Sequence, residues 1–282
     1  MVLSFGEVLM DCLPEKNVIG GAPLNVVTHL NRLGEKSGII SKIGTDELGS
    51  EILAFLKSEN IAEHVQVDSK HNTGYVSVKL TNGQASYTIH RDCGWEFIDY
   101  VAKKESPNYF VFGSLALHLP ANREVFLQYV KEFQGAIRLC DINLRTPFHN
   151  EETIDFCFNN ADILKINDDE LAYFGELKGT DDPIQLIKTN YGIQKIILTK
   201  GAEGADVFWE GRHYVSEAGK VSDFKDTVGA GDSFTALFIY GLIKGVEIPE
   251  NLKRASDFSA MICGQNGAIP TDRTIYNDFV VA

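Results

Sequence analysis

The run DTVGAGDSF, residues 226–234, sets two acids, Asp226 and Asp232, around the nearly side-chain-free Gly229-Ala230-Gly231. Phe234, Leu237, Phe238, Gly241 and Leu242 then recur at helical spacing, which predicts a helix from 232 to about 243. A helix N-terminus presents unpaired N–H groups and partial positive charge, and a glycine approach lets an anion reach them. Phosphoryl transfer needs such a cradle together with a base on the attacking hydroxyl. Asp232 has the residue type for that base and equally for a plain N-cap, and the local pattern leaves both open.

A second glycine stretch, GGAPLNVVTHLNRLG, covers residues 20–34. Gly20 and Gly21 precede Pro23, a residue suited to a first helical turn. Val26, Val27, Leu30 and Leu33 make an apolar face, and Asn25 lies in the first turn away from it. The glycine backbone and the Asn25 amide suit a small polar ligand, although an ordinary helix start reads the same way.

The elements that must carry these groups follow from hydrophobic periodicity. Apolar runs at 2–5, 38–41, 109–112, 137–140, 162–165 and 196–199 alternate with amphipathic stretches such as Leu48, Ile52, Leu53 and Leu56. Strands alternating with helices imply a mostly parallel sheet covered on both faces. Residues 73–91 depart from this pattern: they alternate on both sides of Asn82-Gly83, a strong hairpin signal. The hairpin reads as a lid over a site or as an edge hairpin without a role. No repeat, low-complexity tract or linker divides the chain, so one domain over 1–282 is expected.

Composition narrows the partners. With 26 basic and 39 acidic residues the net charge is −13, which argues against nucleic acid and anionic membranes but not against a local anion site. The five cysteines form no C-x-x-C pair and read as reduced, mostly buried thiols of a cytoplasmic protein. The opening MVLSFGEVLMD lacks a basic segment and is interrupted by Glu7, unlike a signal peptide. No apolar run approaches the roughly 18 residues of a membrane span. The seven histidines show no metal-ligand spacing, and no G-x-x-x-x-G-K-[ST] phosphate loop is present.

Taken together, the two glycine stretches resemble the signatures of the ribokinase-like, or pfkB, family of carbohydrate kinases: G-G-x-x-x-N at Gly20–Asn25 and D-T-x-G-A-G-D at Asp226–Asp232. GEVLMD, KIGTDELG, VFGSLAL, DINLR, ILKINDDEL and ILTKGAEGA resemble further family segments in the family's order. The resemblance implies a three-layer αβα sandwich with a mostly parallel central sheet and a small β lid from about 11–19 and 73–93. Only eight residues separate Asp11 from Gly20, so the lid is expected to shrink to little more than the 73–91 hairpin. A homodimer built through the lid is left open.

The resemblance also implies roles. Asp232 would be the base, with the N–H groups of Gly229, Ala230 and Gly231 as the anion hole. Asp11, Gly20, Gly21 and Asn25 would hold sugar hydroxyls, with Arg91, Asn143 and Arg145 near substrate and phosphate. Lys165, Asn167, Thr199, Lys200, Gly201 and Gly204 would serve ATP, and residues 216–226 would lie along adenine. Asn167 and Glu170 would act on Mg²⁺ through water, and N-x-x-E also reads as a capping pattern. Asp226 and the Val228 carbonyl, completed near Gly267, would hold a monovalent cation such as K⁺. FGSLAL and DINLR look most like the fructokinase branch. Ribokinase, nucleoside kinase and 2-keto-3-deoxygluconate kinase are rivals, the last because Arg91 and Arg145 are available for a carboxylate. A sugar-binding regulator without catalysis would have lost the base or the glycines, and both are kept.

Overall fold

Strand residues alternate between two apolar cores. Leu3, Phe5, Phe110, Phe112 and Cys140 are buried on one side, and Val2, Tyr109, Val111 and Leu139 on the other. A sheet apolar on both faces must be covered on both. The computed structural model describes residues 1–13, 16–81, 84–221 and 223–281; the side chains of 78–81 and 84–86 also lie outside that description.

In chain order the elements are β1 (Val2–Phe5), β2 (Leu9–Cys12), β3 (Asn17–Gly20), α1 (Ala22–Arg32), β4 (Ser37–Gly44), α2 (Glu47–Ser58), β5 (Val65–Asp68), β6 (Gly74–Thr81) and β7 (Gln84–Ile89). There follow β8 (Tyr109–Phe112), α3 (Pro120–Glu132), β9 (Ile137–Asp141), α4 (Glu151–Asn159), β10 (Ile163–Asn167), α5 (Asp168–Lys178) and α6 (Pro183–Asn190). The last are β11 (Lys195–Thr199), β12 (Ala205–Trp209), β13 (Arg212–Ser216), α7 (Ala230–Ile243) and α8 (Ile248–Cys263).

The main sheet runs β13-β12-β11-β10-β9-β8-β1-β4-β5 and is parallel except for the β11-β12-β13 end. Residues of α3, α4 and α5 pack into one core, and residues of α1, α7 and α8 into the other. This is the expected three-layer α/β fold. Chain order runs outward from β1 in both directions, to β4 on one side and β8 on the other. The carboxyl ends of β1 and β8 therefore form a topological switch point, where open α/β sheets bind ligands.

The lid is larger than the short Asp11–Gly20 segment suggests. It is a four-stranded sheet, β3-β2-β6-β7, not a lone hairpin. Leu13 N–H donates to the Lys16 carbonyl, so β2 and β3 close tightly and the short segment still supplies two strands. β2 then pairs in parallel with β6. The Asn82-Gly83 turn lies outside the described residues; its flanks pair with Thr81 opposite Gln84. Among the described residues no helix is long and apolar enough to cross a membrane.

Candidate active site

The carboxyl ends of the parallel strands and the N-terminus of α7 line one cleft of about 1200 Å³ beneath the lid. β9 leads to Asn143 and Arg145, β10 ends in Asn167, and β11 ends in Thr199. The lid strands add Asp11 and Gly20.

Asp232 is the third residue of α7, so it is not the cap. Gly229 occupies the N-cap in the left-handed region at φ 76°, a conformation that disfavours side chains. A Cβ there would also collide with Ala268. Asp232 instead faces the cleft floor, where its Oδ2 accepts 2.8 Å from the Asn25 amide. Burial, then the Asp141 charge, push its pKa up to about 6; Asn25, Lys165 and Arg145 oppose that rise. A carboxyl poised there exchanges protons near neutrality.

Beneath the glycine loop lies a buried polar group that joins three elements. Lys165 Nζ pairs with Asp141 Oδ1 at 2.9 Å, and Thr235 Oγ1 donates to Asp141 Oδ2 at 2.9 Å. Burial pulls the Lys165 pKa down, but Asp141, Glu170 and Asp232 outweigh it and the net shift is upward. The ammonium is therefore a fixed cation under the cradle: a Cβ on Gly231 would sit 2.9 Å from Nζ. The requirement at Gly231 is space, since its backbone is not left-handed.

Gly20, Gly21, Asn25, Asn143 and Arg145 line the cleft with Asp11. Burial raises the Asp11 pKa and Arg145 lowers it. Arg145 forms no ion pair within the described residues, and its charge reaches Glu7, Asp11 and Asp232. Asn143 holds φ 42°, which asparagine tolerates better than most residues.

At the other end, Asn167, Thr199, Gly201, Gly204 and the 227–231 loop line the cleft, followed by Ala218, Gly219, Val221, Phe224, Ser256 and Cys263. Asp226 Oδ1 accepts from Val228 N–H at 2.9 Å and Oδ2 from Gly267 N–H at 3.5 Å, tying the two loops expected around a cation.

Three expected residues are turned away. Arg91 does not line the cleft; its guanidinium faces Glu96 at 3.4 Å and His118 at 3.3 Å. Lys200 pairs with Asp206 at 2.8 Å, across the β11–β12 hairpin. Glu170 is buried, and its two oxygens accept from Leu144 N–H at 2.8 Å and Asn167 N–H at 2.9 Å. Asn167 and Glu170 thus form the capping box of α5, as their spacing allowed. Asp168 and Asp169 face the cleft instead. They were not singled out in the sequence, nor were Glu7 and Asp141. Each of the latter two is a lone acid in or after an apolar strand run, which is the signal that marks them.

A model of the pfkB family of carbohydrate kinases matches residues 2–275. Fructokinase-2 of Oryza sativa subsp. japonica is 28% identical, over 98% of this chain and 91% of its own. An uncharacterized sugar kinase from Pyrococcus horikoshii, solved in complex with ATP, is 26% identical with a TM-score of 0.79 over 95% of this chain and 94% of its own. A fructokinase with bound ATP from Xylella fastidiosa superposes with a TM-score of 0.84 over 99% and 97%, at 21% identity, a likeness of fold.

Proposed function

Since the chain belongs to the pfkB family of carbohydrate kinases, we propose that it transfers the γ-phosphoryl of Mg-ATP to a primary hydroxyl of a free, neutral sugar, with fructose first. The observation that carries this reading is Asp232. Its carboxylate hangs between the hydroxyl-binding wall of Asp11, Asn25 and Asn143 and the N–H groups opening α7. The ATP complex of the Pyrococcus relative supports the nucleotide.

In this reading Asp11, Asn25 and Asn143 orient the sugar. Asp232 takes the proton of the attacking hydroxyl, and the resulting alkoxide attacks the γ-phosphorus as the bond to the β-phosphate oxygen breaks. The N–H groups at 229–231, Lys165 below and Arg145 above stabilise charge on the transferring group. Asn167, Asp168 and Asp169 would hold Mg²⁺ through its waters, and the carboxylates of Asp168 and Asp169 at the cleft suit a hard cation that keeps its hydration shell. Bound there, the ion would neutralise the phosphates. Glu170 acts from behind, fixing Asn167. Asp226 and the Val228 carbonyl are the candidate monovalent-cation ligands. Five cysteines without a disulfide suit the cytoplasm.

The test is a coupled ADP-release assay with Mg-ATP and fructose, ribose, a nucleoside, fructose 6-phosphate and 2-keto-3-deoxygluconate at matched concentrations. Fructose should give the highest kcat/KM. A higher value for the keto acid overturns the neutral-sugar reading, and one for ribose or the nucleoside overturns the fructose assignment.

A further inference from the structure

One buried carboxyl, without an ion-pair partner among the described residues, lies where this fold places ligands. Glu7 lies two residues past the end of β1, at the switch point between β1 and β8. It lines the main cleft and also a small cavity at the ends of β1, β8 and β9, with Ala22, Ser114, Asp141 and Asn143. The residue is only 4% exposed. Its carboxyl is supported by the backbone N–H groups of Glu7 itself and of Ala22, and among the described residues no side chain pairs with it. The charges acting on it are Arg145 and Asp232, with Asp11 on the same cleft wall. Two backbone donors leave acceptor positions of the carboxyl open, and a buried carboxyl with open positions at a ligand cleft suits a ligand hydroxyl.

We propose that Glu7 binds one hydroxyl of the neutral acceptor sugar and, with Asp11, excludes acceptors that carry a negative charge. This rests on the neutral-sugar reading above. Burial pushes the Glu7 pKa up to about 7, so near neutrality the carboxyl can donate to a hydroxyl or accept from it. An acceptor carboxylate would meet Glu7, Asp11 and Asp232, opposed by Arg145 and by Lys165, whose charge is already paired with Asp141.

The experiment compares Glu7→Gln and Glu7→Leu with wild type, using fructose, its single-deoxy analogues, and 2-keto-3-deoxygluconate. Glu7→Leu should raise KM for fructose about tenfold, the worth of one lost hydrogen bond, and leave KM for ATP unchanged. One deoxy analogue should bind worse than fructose to wild type but no worse to Glu7→Leu. Glu7→Gln, which keeps shape, should restore much of the fructose KM. It should also raise the keto acid's kcat/KM relative to fructose about tenfold, since a like charge is gone. If Glu7→Leu does not fold, the Gln variant alone decides through that ratio. Unchanged ratios and equal analogue penalties in all three proteins overturn the inference while leaving the sugar-kinase reading intact. If wild type phosphorylates no neutral sugar, the substrate class falls first and this inference with it.

Discussion

A base that must deprotonate a sugar hydroxyl works best with a pKa near the operating pH. Asp232, at about 6, is close enough to be mostly ionised at neutrality and still basic. Activity needs its deprotonated form, so kcat/KM should fall as pH drops through about 6. Glu7 titrates nearby, so the limb belongs to the pair rather than to one residue. Asp232→Asn should retain sugar affinity and lose about two to four orders of magnitude in kcat. Steady-state kinetics from pH 5 to 9 check both; a variant within a few-fold of wild type rules out Asp232 as the base. What the sequence shows at this scale is local. Asp232, Asn25 and the glycine loop stand in contiguous runs whose spacing can be read. The fates of Arg91, Lys200 and Glu170 were hidden, because their partners His118, Asp206 and Leu144 are brought to them only by folding.

Among elements, the buried Lys165–Asp141–Thr235 group is the joint where β10, β9 and the start of α7 meet. Asp141 beneath Asp232 raises the base's pKa, and Lys165 offsets part of that rise. Lys165→Met would leave a buried carboxylate unpaired, at a cost of about 3–5 kcal/mol. The same change removes a cation that holds the Asp232 pKa down, so the acid limb of kcat/KM should move to higher pH. Urea denaturation and the pH profile test the two effects separately. Unchanged stability would mean that Asp141 is neutral or finds water. Legibility also varied by element. β1, β8, β9, β10 and β11 are central strands, and their uninterrupted apolar runs announce them. β2, β3, β5, β12 and β13 are short, partly exposed or edge strands that carry polar residues such as Asp11, Asn17 and Arg212, so no such run marks them. The lid was underestimated for that reason: two of its four strands lie in a segment too short and polar to read as a hairpin.

For the whole molecule, the cleft carboxyls store a stability cost that depends on pH. Glu7 and Asp232 both have folded-state pKa values above their ordinary ones, so between about pH 4 and 7 the native state binds more protons than the unfolded chain. Stability from these groups is therefore fully present below pH 4 and is lost as pH rises through about 6 for Asp232 and about 7 for Glu7. At pH 8 both are charged in a buried site, within a chain that already carries −13. An amide at either position stays neutral at every pH and avoids that loss. The shift of Glu7 from 4.5 to about 7 bounds its share at about 3 kcal/mol at high pH. For a chain of this size that is about 6–12 °C in Tm. The Glu7→Gln/Asp232→Asn double variant should therefore melt above wild type at pH 8. The difference should shrink toward zero at pH 4, where the wild-type acids are already protonated. Calorimetry of both proteins at pH 4, 6 and 8 measures it. A gap that stays constant with pH would show that the gain comes from packing, and a variant less stable at pH 8 would show that the hydrogen bonds the carboxylates accept, that of Asn25 to Asp232 among them, outweigh the cost of their charge.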